Sequence, residues 1–115
     1  MISRIESGSR FSQAVVHGNT VYLAGQVATD LAADVAGQTR QALASIDRLL
    51  AAAGTDKTRV LMATIYLLDM NTYHEMNSVW DRWVAPGHAP ARATVCASLA
   101  GPGYRVEIVV TAALS

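Results

Sequence analysis

The run Val60-Leu-Met-Ala-Thr-Ile-Tyr-Leu-Leu68 constrains this chain more than any other segment. It is apolar on both alternations, so periodicity alone leaves it open between a strand and a buried helix. Its length and its Val, Thr, Ile and Tyr content favour a central strand. It is interrupted by Thr64 and falls far short of the roughly 20 apolar residues that a membrane span needs.

Helical patterns flank the run. Between Asp34 and Ala53, the residues Val35, Ala42, Leu43, Ile46, Leu49, Leu50 and Ala53 recur at spacings of three and four, with Asp34 placed as N-cap and Gly54 as the residue after the end. After the run, Tyr73, Met76, Trp80 and Trp83 make a second apolar stripe. The Thr72 and Glu75 spacing predicts a capping box at its start. Asn77 falls one turn after Tyr73, on or beside that stripe, where an amide needs partners.

The remaining apolar segments alternate with period two. Ile2–Ile5 reads as a short edge strand. Ala14–Val16 and Thr20–Ala24 read as a hairpin around His17-Gly18-Asn19, since a Gly-Asn pair accepts positive φ cheaply. Beyond the Ala85–Pro90 loop, Arg92, Thr94, Cys96 and Ser98 share one face of a strand. After the Ala100–Gly103 turn, Val106, Ile108 and Val110 alternate with Glu107, Val109 and Thr111 in the last strand. The order β-β-β-α-β-α-β-β predicts an α+β single domain over residues 1–115, with two helices on one face of the sheet. The other face needs a cover, which self-association would supply.

Charge narrows the function. Lys plus Arg and Asp plus Glu are 9 each, with no basic run, which argues against a nucleic-acid binder. Charged residues are 16% of the chain against about 25% in an average domain, a pointer to a homo-oligomer. Cys96 is the lone cysteine, and the three histidines share no ligand spacing with it or one another, so no metal site is expected. No signal-peptide pattern is visible near Met1, and the expected compartment is the cytoplasm.

Two charges sit in strands that otherwise avoid them: Arg92, and Glu107 within Val106-Glu-Ile-Val-Val110. An arginine fork grips a carboxylate with two parallel hydrogen bonds, and a desolvated glutamate suits proton transfer. On residue type alone, however, Glu107 reads as a salt-bridged or edge residue and Arg92 as an exposed strand-start residue. Cys96 reads as a small core residue, Trp80 and Trp83 as packing, and Asn77 as an amide tying a loop to its helix.

The ordered set of segments changes that balance. Pro90-Ala-Arg92-Ala-Thr-Val95 followed by Val106-Glu107-Ile108 resembles the signature of the reactive intermediate deaminase (Rid, YjgF-type) family. Leu23-Ala-Gly25-Gln26, Gln38–Leu43, Ala63–Leu67 with Asp69, and Met76-Asn77 match in order, covering roughly Ile2 to Ala113. Trp80-Asp-Arg-Trp83-Val84 and Gly87-His-Ala-Pro90 resemble a YoaB-type branch.

The resemblance implies a chorismate-mutase-like fold with a mixed six-stranded sheet and a homotrimer with clefts between subunits. It places the last strand between earlier ones. It implies hydrolysis of reactive enamine or imine acids, of the 2-aminoacrylate and 2-iminopropanoate type, to 2-oxo acids and ammonia, with no metal or organic cofactor. Carried over by position, Arg92 clamps the substrate carboxylate and Glu107 orients or deprotonates water. The backbone at Gly25 and Thr94 contacts the ligand, Asn77 orders the pocket, and Phe11 closes it. Three positions depart from the family pattern: Phe11 stands for the usual Tyr, Ala24 for Ser and Thr94 for Cys. Other readings of the same fold are a non-catalytic 2-oxo acid binder or sensor and a chaperone-like protein.

One expectation rests on geometry. A plain hairpin turning near Pro102 would leave Arg92 and Glu107 about 15 Å apart, and the family's sheet order puts a further strand between them. Neither arrangement lets both touch one three-carbon acid, so each site is expected to combine Arg92 of one subunit with Glu107 of a neighbour.

Overall fold

The computed structural model describes every residue from Met1 to Ser115. Six strands form one sheet: β1 (Ile2–Ser7), β2 (Ser12–His17), β3 (Thr20–Leu23), β4 (Val60–Leu67), β5 (Ala91–Cys96) and β6 (Val106–Ala113). Two helices, α1 (Val35–Ala52) and α2 (Tyr73–Trp83), pack on it. The strand order is β1-β2-β3-β6-β4-β5, so β6 is threaded between β3 and β4, antiparallel to both, while β5 lies parallel to β4 at an edge. The hairpin between β2 and β3 turns on Gly18, whose φ of 61° a β-carbon would resist.

Alternation decides what each face does. Val106, Ile108, Val110 and Ala112 of β6, with Ala63, Ile65 and Leu67 of β4, are buried under Leu43, Ile46, Leu49 and Leu50 of α1 and Met76, Val79 and Trp80 of α2. The opposite face carries no helix. A row of Arg4, Val15, Tyr22, Thr111, Met62 and Ala91 crosses the whole sheet there in register. Tyr22 is 49% exposed and Met62 39%. The run around Val60 is therefore an interior strand with its two faces treated unequally: one is core and the other is open in the single chain.

The helix caps part ways. Asp34 caps α1 as expected, accepting from Gly37 N at 2.8 Å, and Gly54 follows its end at a φ of 87°. The capping box predicted for Thr72 and Glu75 does not form. Thr72 makes no side-chain cap; its hydroxyl donates to the Asp69 carbonyl, in a 3-10 turn (Met70–Thr72) that continues into α2. Glu75 instead accepts from Ala36 N at 2.9 Å, serving the orphan donors of the other helix.

Gln38 is fully buried yet saturated. Its amide nitrogen donates to the carbonyls of Leu31, Ala33 and Gly103, and its oxygen accepts from Arg105 N. This one side chain ties the Gly101–Arg105 turn to the segment leading into α1. Cys96, expected in the core, is exposed at the end of β5. The reason is that β5 is an edge strand with no further strand beyond it.

Candidate functional site

Arg92 sits on β5 opposite Ala63 of β4. Ala63 faces the core, so Arg92 projects on the helix-bearing side. There the sequence provides a cradle: Tyr73, Asn77 and Trp80 follow at one-turn spacings along α2. The guanidinium donates to Asn77 Oδ1 at 2.8 Å and to the Tyr73 hydroxyl oxygen at 3.1 Å. The guanidinium carbon lies 5.1 Å from the Trp80 ring centroid and 5.8 Å from that of Tyr73. Arg92 is thus half-buried and multiply held, not an exposed strand-start residue. Its partners are all neutral: the chain's two ion pairs are Arg48–Glu6 and Arg59–Asp56. Asn77 ties β5 to α2, where residue type had suggested a loop.

The phenol of Tyr73 responds to this company. The Asn77 amide and then the Arg92 charge hold its pKa below the ordinary 10.0, against the opposing pull of burial and of Asp81.

Thr94, two residues on, shares the face of Arg92. Its Oγ1 is buried without a hydrogen-bond partner. Its backbone is also open. Ala97 N donates to Leu67 O, and alternate N–H groups along a strand point to opposite sides. The N–H groups of Arg92, Thr94 and Cys96 therefore point away from β4, at an edge with no further strand.

Glu107 lies opposite Tyr66 on interior strand β6, on the open face. It is neither salt-bridged nor on an edge strand, which corrects the reading from residue type; the strand inserted beside it leaves the side chain no outlet but that face. The segment after β3 is held against β6 by a reciprocal pair, Gln26 N to Ile108 O at 2.8 Å and Ile108 N to Gln26 O at 3.0 Å. The Gln26 side chain donates to Gln13 and to the Ala24 carbonyl. This pinning brings Gly25 under the carboxylate. A methyl group on Gly25 would lie 2.5 Å from Glu107 Oε2. Beside them opens a recess of about 380 Å³, lined by Phe11, Ala24, Gly25, Val27, Ala100, Tyr104 and Glu107. Phe11 is 58% exposed at its rim.

The structure therefore gathers the candidates into two groups, Arg92, Thr94 and Asn77 in one, Glu107, Gly25 and Phe11 in the other. Arg92 and Glu107 are separated by strand β4 and by three residues along it. That is about 14 Å between backbones, with the side chains on opposite faces. Tyr73 and Trp80 were read from sequence as packing alone; their i, i+4, i+7 spacing with Asn77 was the available signal, but nothing in it named Arg92 as the object. No three His, Cys, Asp or Glu side chains converge to hold a metal ion.

Fold and site together define a class: an α+β single-sheet protein that keeps an unpaired guanidinium on its covered side and an unpaired carboxylate on its open side. The endoribonuclease L-PSP family model matches residues 1–114, and the chain belongs to that family, the YjgF or Rid proteins. It is 47% identical over 113 residues to the RutC family protein YoaB of Escherichia coli, covering 98% of each chain, in keeping with the branch read from Trp80–Val84 and Gly87–Pro90. The crystal structure of a YjgF family member from Neisseria meningitidis superposes with a TM-score of 0.97 at 48% identity, covering 100% of this chain and 96% of that one. A Bos taurus protein named 2-iminobutanoate/2-iminopropanoate deaminase is 38% identical over 104 residues, 85% of this chain and 75% of that protein.

Proposed function

We propose that this protein hydrolyses small enamine or imine acids to 2-oxo acids and ammonia, in clefts that pair Arg92 of one subunit with Glu107 of a neighbour in a homotrimer. The observation that carries the reading is the unpaired Arg92 guanidinium, cradled by neutral groups on the face opposite Glu107. A cation half-buried without a carboxylate favours an external anion. The name of the Bos taurus relative supplies the substrate class.

In such a cleft Arg92 and the outward Thr94 N–H hold the substrate carboxylate, and the Thr94 hydroxyl gains the partner it lacks. Glu107, with Gly25 beneath it, orients water toward the imine carbon. Water adds there, the C–N bond breaks, and ammonia leaves as the carbonyl forms. Positioning and proton transfer suffice, without a covalent intermediate. The largely uncovered sheet face, with Tyr22, Met62 and Val95 exposed, supports association through that side. The balanced charge, 9 basic against 9 acidic residues, favours a small acid over RNA despite the family model's name.

A second reading, a non-catalytic 2-oxo acid binder, is favoured by the apolar lining beside Glu107, where Phe11 and Ala24 offer no hydroxyl. A coupled assay that generates 2-aminoacrylate separates the two. Accelerated release of 2-oxo acid, lowered in E107Q with little change in affinity, supports hydrolysis. Ligand-induced stabilisation without hydrolysis supports the binder. Equal rates for E107Q and the parent remove Glu107 from the mechanism.

A further inference from the structure

The cradle of Arg92 contains one group that can change its charge. A guanidinium offers five N–H donors, and the structure uses one on each terminal nitrogen, toward Asn77 Oδ1 and the Tyr73 hydroxyl. Three remain for a ligand. A carboxylate oxygen taking the other N–H of the nitrogen that serves Tyr73 would stand about 5 Å from the phenolic oxygen, given bonds near 3 Å and a fork of about 120°. That is beyond hydrogen-bond reach. Tyr73 therefore acts on a bound acid through Arg92 and not by touching it.

We propose that Tyr73 is a positioning residue for Arg92 and sets the alkaline limit at which this guanidinium can hold a carboxylate. The inference rests on the small-acid reading above. A neutral phenol accepts a hydrogen bond and leaves the cation whole. A phenolate at the same 3.1 Å is an internal counter-ion, and an incoming carboxylate must displace it. Arginine keeps its proton throughout the accessible range, so alkaline loss of acid binding has to come from a neighbour. The Asn77 amide and the Arg92 charge hold the Tyr73 pKa below its ordinary value and so make the phenol more acidic, which favours the switch.

The other ionisable groups around the phenol have distinct signatures. His74 packs its ring edge-on at 5.7 Å, and Tyr73→Phe leaves that imidazole in place, so any contribution from it survives in the variant. Asp81 opposes phenolate formation. Cys96, the chain's one thiol, lies four residues along the Arg92 face of β5, about 13 Å away at the strand rise, so a signal from it has to be kept apart from that of the phenol. A C96S background removes that ambiguity.

The test uses the full chain carrying C96S and pyruvate, which stays anionic throughout. Affinity is measured by calorimetry from about pH 7 to about pH 10. Above the Tyr73 midpoint, affinity should fall about tenfold per pH unit, because only the phenol form is competent. Tyr73→Phe keeps the ring packing and removes the hydroxyl. It should bind about two- to tenfold more weakly at neutral pH, for one lost hydrogen bond, and then show no alkaline fall. Tyrosinate absorbance of the parent minus that of Y73F reports the Tyr73 midpoint without ligand, and this midpoint should rise in R92A. A Y73F curve that falls in parallel with the parent, or a midpoint unmoved by R92A, overturns the inference. If pyruvate binds at no pH while the midpoint does rise in R92A, the small-acid reading and its alkaline limit fall and the Tyr73–Arg92 coupling stands.

Discussion

Replacing Gly25 by alanine should disable turnover while leaving the protein folded. The added β-carbon would meet Glu107 Oε2 at 2.5 Å, Cδ at 2.7 Å and Cγ at 3.0 Å, where ordinary contact begins near 3.4 Å. The atoms in the way belong to the end of a flexible side chain, so the carboxylate retreats by about 0.9 Å and the backbone stays. Displacing a catalytic group by about 1 Å costs on the order of 10²-fold in rate. The change carries no conformational penalty at Gly25 itself, since the left-handed glycines are Gly18, Gly54, Gly87 and Gly103. Alanine there removes about 0.4–1 kcal/mol of unfolded-chain freedom, so Tm should hold or rise slightly. The assay is the coupled hydrolysis above, with a thermal melt on the same sample. In an E107Q background, G25A should add almost nothing, because both changes act on one group. Parental turnover in G25A, or a full extra loss in the double variant, would refute the placement of Glu107 over Gly25 as the functional arrangement.

Two more expectations follow from the same geometry. Inactive R92A and inactive E107A chains, mixed after verified subunit exchange, should recover part of the parental activity, because some clefts then carry both side chains; no recovery counts heavily against a shared cleft. Gln38→Leu should lower unfolding free energy by at least about 4 kcal/mol in urea titration, since it leaves three carbonyls and the Arg105 N–H without their buried partner at about 1–3 kcal/mol for each unmade bond; a loss under about 1 kcal/mol would mean that water replaces the amide.

Local patterns were read correctly where one element decides them. The 3.6-residue stripe of α1 lies under the sheet, Asp34 caps its start, and Val106, Ile108 and Val110 point inward as their alternation requires. The capping box expected at Thr72 fails because its glutamate is engaged elsewhere. Glu75 has two sets of orphan N–H groups within reach, and the ones on the neighbouring helix win. Spacing within a helix carries no information about a donor 39 residues away. The same limit hid Tyr73 and Trp80 as supports for Arg92, and Gln38 as a buried knot.

From sequence come the periods, caps and turn glycines, along with the two charges set among apolar strand residues. All are properties of a residue and its near neighbours, and backbone sterics and solvent act on them locally. No local pattern places β6 between β3 and β4: the family resemblance implies that insertion, and the tertiary structure shows it together with its register. That insertion puts β4 between Arg92 and Glu107, three residues out of step, and so sends the two side chains to opposite faces of the sheet. The faces of a strand are assigned by its pairing register, and register is a relation between distant segments that neither segment carries by itself.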